Sequence, residues 1–209
     1  MTDLDAPSQA GQAMRSEDRA DYQQFFKQAT DKVVLDVSYT IYYPETEKEG
    51  FSSLPEEKII FTLVDYKKTP HVVLRHHMDA SVFRVLAWDM LFDRFPKVWG
   101  NKTQDKTQWP SYVEHKGSSH SRSQNGQAEA RRLTLAFNPD PSRNYPWMIK
   151  LERGSGEVIG KGAVKMVQVQ DTVTMQLTNL HMRQLAAEGM EFLQAQRSLR
   201  VAAASIAAL

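Results

Sequence analysis

A run of strand-like segments closes on an amphipathic helix twice in this chain, once at Asp79 and again at Asn179. Val72-Val73-Leu74-Arg75-His76-His77 leads through Met78-Asp79 into a helical pattern from Ala80 to about Phe95. Val173-Thr174-Met175-Gln176-Leu177 leads through Thr178-Asn179 into a second one, from Leu180 to about Gln196. Asp and Asn at these junctions read as N-caps, because their side-chain oxygens accept from the unsatisfied amides of a first helical turn. Two such units in succession predict an α+β domain built by internal duplication of pattern, without residue-level identity between the halves.

The length of 209 residues suffices for one core, and 41% hydrophobic with 24% charged residues is the balance of an ordinary globular protein. The chain has no cysteine. That removes disulfides, thiolate nucleophiles and the commonest zinc cages together, and points to an intracellular, cytoplasmic protein. Met1-Thr2-Asp3-Leu4-Asp5 has no apolar signal region, and no stretch approaches the roughly 18 apolar residues of a membrane span. The net charge of +1 conceals a separation: five acids oppose two bases over residues 1–22, whereas five bases oppose two acids from Arg143 to Lys165. Such local basicity favours polyanion binding even when the total is near zero.

Residues 1–30 read as a polar leader with a short helix over Tyr22–Ala29 carrying Phe25 and Phe26. A single domain follows over 31–196, divided into a first repeat at 31–96, a crossover at 97–130 and a second repeat at 131–196. From Val33 to Tyr43 the chain alternates, with Val33, Leu35, Val37, Tyr39, Ile41 and Tyr43 on one face. The next strand runs from Lys58 to Tyr66 and turns at Lys67-Lys68-Thr69-Pro70. The first helix carries Val82, Leu86 and Met90 as an apolar stripe and is expected to stop at Pro96. The crossover lacks periodicity and is expected to be a loop anchored by Trp99, Trp109 and Tyr112. In the second repeat, strands at Arg132–Phe137 and Tyr145–Glu152 lead to a glycine-marked turn at Arg153-Gly154-Ser155-Gly156. A strand at Lys161–Gln170 and a turn at Asp171 then precede the last strand, from Thr172. The alanine-rich 197–209 extends the second helix or packs on another subunit. The expected architecture is two antiparallel β-meander-plus-helix units, with helices on one side of the sheets.

Catalytic chemistry finds no foothold in these residues, and neither a cofactor nor a metal is expected. Gly154-Ser155-Gly156 is not followed by the Lys-Ser/Thr of a phosphate loop, and no Gly-x-Ser-x-Gly elbow occurs. His76 and His77 are neighbours on a strand, point to opposite faces and cannot converge on a metal. His115 and His120 sit in the crossover and read as solvated.

Nucleic-acid binding is the better match. Sheets that hold single strands need cations for phosphates and aromatic faces for bases, where stacking contributes roughly 1–3 kcal/mol per base. Tyr39, Phe137 and Trp147 are in phase with aliphatic neighbours and read as core. Tyr42, Tyr66 and Tyr145 are the stacking candidates, and Lys67, Lys68, Arg75, Arg132, Lys150, Arg153, Lys161 and Lys165 are the candidate phosphate ligands. Lys150 is out of phase with Trp147, Ile149 and Leu151 and is expected to face away from the core.

The paired meander-plus-helix layout over about Val33–Gln196 resembles the Whirly single-stranded-DNA-binding proteins. More distantly it is similar to the positive-cofactor-type transcriptional coactivators, in which one such unit is dimerised. Gly160-Lys161-Gly162-Ala163-Val164-Lys165 is similar to the Lys-Gly-Lys-Ala-Ala-Leu signature of plant Whirlies, with Gly162 as the departure. The resemblance implies sheets that radiate like blades, a homo-oligomer, as a rule a tetramer, with helices at its centre, and a DNA strand lying across the sheets. Under it the helices around Val82–Leu91 and Met182–Leu193 become oligomer contacts as well as core. The expected function is non-enzymatic binding of single-stranded DNA with little sequence specificity, in replication, recombination or mobile-element maintenance. The alternative is a protein–protein adaptor that docks partners on the duplicated sheets.

Overall fold

Alternating strands that each bury one face must stack those faces on something, and here they share one core. The computed structural model describes residues 22–42, 55–100, 109–122, 127–159 and 163–207. β1 (Gln23–Ala29), β2 (Val33–Tyr42), β3 (Glu56–Asp65) and β4 (Val72–Asp79) form one antiparallel sheet in chain order. β5 (Ser111–Arg122), β6 (Ala128–Phe137), β7 (Trp147–Ile159) and β8 (Ala163–Leu177) form the other in the same way. α1 (Ala80–Leu91) leaves the first sheet, α2 (Phe95–Trp99) follows it, and α3 (Asn179–Ala207) leaves the second. The fold is therefore α+β, with two meanders that each close on a helix. One buried cluster joins Leu35, Phe61 and Leu63 of the first sheet to Leu133, Ile149 and Leu151 of the second, with Phe83, Leu86, Leu185 and Leu193 of the helices.

The segment expected to be a helix at Tyr22–Ala29 is the edge strand β1. Pairing with β2 satisfies backbone groups that a bare edge would expose. A bulge between Gln24 and Phe26 lets two consecutive aromatics serve the core. Phe26 is buried opposite Val37, and Phe25 rests on Phe83 and Phe192 at ring distances of 6.0 and 5.6 Å. The sheet thus begins inside the expected leader.

The expected crossover also carries structure. Phe95 opens α2 and is buried against Trp147 at 4.9 Å, while Trp99 meets Tyr112 edge-on at 5.1 Å. Residues 111–122 form β5, whose small residues answer a close approach rather than a loop. A Cβ on Gly117 would lie 2.4 Å from Val164 Cβ on β8, so the far ends of the second sheet curl together around Ala128, Ala130 and Val164. Gly154 and Gly156 are not a turn either. They lie within β7 between register shifts, and a Cβ on Gly154 would stand 1.9 Å from the Gln168 carbonyl oxygen. Asp171, expected to turn the chain, sits in the continuous β8 opposite Arg153 and accepts from its Nη2 at 2.7 Å.

Both expected caps act differently. Asp79 stands at the N-cap of α1 without a side-chain bond to the helix, because its carboxylate is drawn to the Lys58 and Lys116 ammoniums. At α3, Thr178 Oγ1 accepts the His181 amide at 3.1 Å, while Asn179 Oδ1 accepts from Trp147 Nε1 at 2.8 Å. α1 stops at Leu91, before Pro96. Asp93 takes a left-handed turn at φ 53°, and Pro96 falls in the first turn of α2, where its missing N–H costs little. The extension beyond Gln196 continues α3, leaving Leu199, Val201 and Ile206 exposed.

A polar latch ties the sheets beside this core. His76 Nε2 of β4 donates to Glu114 Oε2 of β5 at 2.9 Å, and Lys116 Nζ lies 3.2 Å from Glu114 Oε1. Burial alone would push the Glu114 carboxyl up. The His76 hydrogen bond and the Lys116 charge outweigh it, and the group titrates below its ordinary 4.5.

Two outcomes follow from these contacts. Gly154→Ala should lower stability by about 1–3 kcal/mol in chemical denaturation, since the Gln168 backbone must move; an unchanged midpoint would contradict the packing. A carboxyl lowered in the fold stabilises above its unfolded value and loses that contribution as pH falls through the folded one. Glu114→Gln should therefore be less stable at neutral pH and decline less steeply below about pH 4.5; parallel stability profiles would contradict the latch.

Candidate nucleic-acid interface

Because the inner faces share one core, the outer faces point away from each other, and only they can offer an open surface. On the first sheet, cross-strand register builds that surface in levels. Lys27, Asp36, Thr62 and Arg75 stand side by side, one per strand, with Val34 and Val64 at the level above and Ser38, Ile60 and His77 at the level below. All of these side chains but His77 line a groove of about 360 Å³. Tyr22 borders it at one end, with Arg75 Cζ 6.0 Å from its ring centroid, and is 37% exposed. Tyr66 borders the other end, 49% exposed, with its ring edge-on to His71 at 5.2 Å. The Tyr66 amide donates to Lys32 O at 2.9 Å, and the Lys67 amide donates to Asp65 Oδ1 at 3.0 Å, so the turn bearing Lys67 and Lys68 is fixed to the sheet.

Of the sequence candidates, Tyr66 and Arg75 line this groove, and Lys67 and Lys68 stand in the turn that follows Tyr66. All four are exposed, and the three cations make no ion pair with another described residue. Tyr42 belongs to the same sheet but is half-buried. Its hydroxyl lies 2.9 Å from His77 Nδ1, and burial first, then Tyr22, pushes its pKa up to about 12. His77 is pushed down to about 4 by burial and then by Arg131, His76, Arg75 and Lys58, so at neutral pH the ring that meets the Tyr42 hydroxyl is uncharged.

The second sheet's candidates do not join them. Lys150 does face away from the core, yet its ammonium lies 3.3 Å from Glu152 Oε2, which also takes Arg132 Nε at 2.6 Å. Burial raises the Glu152 carboxyl, but Arg132 and Lys150 pull it below its ordinary value, so both cations are engaged by an acid although the trio stays positive overall. Arg153 is paired with Asp171. Tyr145 is exposed in the loop before β7, and Lys165 is exposed on β8. Lys161 lies outside the described residues.

Sequence reasoning missed Tyr22, Lys27 and Asp36. Reading residues 22–29 as a helix hid the first two; the signal was Phe25-Phe26 beside an unpaired edge of β2. Asp36 is joined to Lys27 and Arg75 only by cross-strand register, which is invisible without the fold.

A second concavity, of about 280 Å³, lies where the sheets meet, lined by Lys58, His77, Lys116 and Arg131. His76 faces the core and His77 the outside, and among the described residues no group of three or more His, Asp or Glu is placed to hold a metal. Among the described residues no helix is long and apolar enough to cross a membrane.

No protein-family model matches the chain, and no curated protein matches it in sequence. Solved structures do match in shape. The crystal structure of WHY1 from Arabidopsis thaliana superposes with a TM-score of 0.47 at 11% identity, over 82% of this chain and 88% of that one. That of WHY3 from the same organism reaches 0.50 at 9% identity, over 87% and 95%. At such identity the WHY3 likeness establishes architecture alone: the two four-stranded sheets with their closing helices form a Whirly-like fold.

Proposed function

We propose that the chain is a binding protein for single-stranded DNA, with little overall sequence preference, and that the strand lies on the outer face of the first sheet. One observation carries this reading, the contrast between the two outer faces. Lys27, Lys67, Lys68 and Arg75 have no ion pair with another described residue, whereas Arg132 and Lys150 share the Glu152 carboxylate and Arg153 holds Asp171. A cation already paired must break that contact to take a phosphate, while an unpaired one gives up only water and counterions. Tyr22 and Tyr66 supply ring faces at the two ends of the groove, each able to stack a base for about 1–3 kcal/mol. The reading needs neither metal nor cofactor.

Self-association belongs to the same proposal. The stripe expected to serve both core and oligomer is buried within the chain: Leu86, Met90, Met182 and Leu193 all face inward. A different face of α1 remains apolar and exposed, formed by Val85, Trp88 and Phe92, with the last two rings 4.5 Å apart. Residues at i, i+3 and i+7 share one side of a helix, and an exposed apolar patch of this kind suits contact with further copies, in a tetramer. A second reading, the adaptor, draws on exposed Val158, Ile159, Val167 and Val169 along the far ends of β7 and β8.

Titrating oligo-dT should quench tyrosine and tryptophan emission at low salt and lose affinity as salt rises. Replacing Lys67, Lys68 and Arg75 with alanine together should flatten the logarithmic salt slope by about 0.7 for each phosphate no longer neutralised, while Lys150→Ala leaves it unchanged. A flat titration, with a stable protein complex instead, favours the adaptor. In light scattering, Trp88→Asp should lower the mass of the assembly; an unchanged mass would remove α1 from the interface.

A further inference from the structure

Within the groove on the first sheet, one carboxylate stands without a partner among donors. Asp36 lies mid-floor on β2, directly opposite Lys27 of β1 on one side and Thr62 of β3 on the other, with Arg75 of β4 beyond Thr62. It is half-buried and makes no hydrogen bond or ion pair with another described residue. Lys27 and Arg75 act on it through their fields, yet burial prevails and its carboxyl titrates above the ordinary value. Half-buried at the floor of an open groove, its oxygens meet water, and a ligand that displaces that water must supply donors of its own.

The surroundings restrict what can. Val34, Val64 and Ile60 flank the row with apolar surface, so a planar group standing edge-down on it meets Asp36 with its edge while its faces meet aliphatic side chains. Among the DNA bases, guanine alone offers two adjacent N–H donors, N1–H and N2–H, to a single carboxylate. Its O6 lies beside them and suits a hydroxyl or guanidinium, which Thr62 and Arg75 provide in the same row. Thymine presents one N–H between two carbonyls, whose lone pairs oppose a carboxylate. Adenine and cytosine each present one amino donor next to a ring-nitrogen acceptor.

We propose that the row Lys27–Asp36–Thr62–Arg75 reads a guanine within the bound single strand, with Asp36 accepting from its N1 and N2 hydrogens. The proposal deepens the single-strand reading above and rests on it. Phosphate capture and stacking hold any strand, and this row adds a preference at one position. A site built around a hydrogen-bonding edge discriminates, because a base lacking the donors takes water from the carboxylate and leaves it unpaired.

The test compares three short strands of equal length: all thymine, thymine with one central guanine, and thymine with one central inosine, which lacks the N2 amino group. The guanine strand should bind about tenfold tighter than the all-thymine strand, with inosine losing most of that gain. Asp36→Asn should bring the guanine-to-thymine ratio to about one while all-thymine binding persists, and Thr62→Val should reduce the same ratio. The ratio is the readout because removing a negative charge raises affinity for every strand. Free dGMP, at concentrations that match the bound strand, should fail to displace it. Equal affinities for the three strands in the unaltered protein overturn the guanine reading and leave single-strand binding standing. Binding of none overturns both, and displacement by dGMP at the strand's own affinity assigns the groove to a free nucleotide instead. The comparison in the unaltered protein decides the question even if Asp36→Asn does not fold.

Discussion

The antiparallel register of the first four strands is the constraint from which the rest follows. Each side chain of a strand must face in or out with period two, and the pairing decides which outward residues become neighbours. Leu35 opposite Leu63, and Leu63 opposite Leu74, fix the inner face to the core; the same register sets Asp36 beside Thr62 and Thr62 beside Arg75 outside. A slip of one residue would bury Arg75 and expose Leu74. Burial of the inner face therefore enforces the chemistry of the outer one.

Electrostatics then divides two faces that the duplicated layout makes formally equivalent. On the second sheet, Glu152 sits between Arg132 and Lys150, and Asp171 meets Arg153, so acids within hydrogen-bond reach consume the local basicity. On the first sheet Asp36 is shared at a distance by Lys27 and Arg75, and Lys67 and Lys68 extend from a turn held by Asp65. Counting charges along the chain favours the second half. Counting charges that remain available favours the first.

Much of the architecture was legible in the sequence because it was written in period-two and 3.6-residue patterns. The alternation from Val33, the stripe of α1 and the stripe of α3 all carry their burial in their spacing. What escaped was written in contacts between distant segments. Phe25-Phe26 looks helical until a bulge is allowed, and Gly117, Gly154 and Gly156 look like loop residues until Val164 and Gln168 are seen against them. The candidate site divided along the same line. Tyr66, Lys67, Lys68 and Arg75 lie near one another in sequence, so their proximity could be read there, whereas the partners of Lys150 and Arg132 and the place of Asp36 depend on register.

The central claim is that a single strand lies on the outer face of β1–β4. Photo-crosslinking with iodouracil-substituted oligo-dT, read by mass spectrometry of the digested adduct, tests it most directly. The account predicts adducts on Tyr22 and Tyr66, bordering the groove. Adducts confined to β6 and β7 around Lys150, with none on the first sheet, would contradict it.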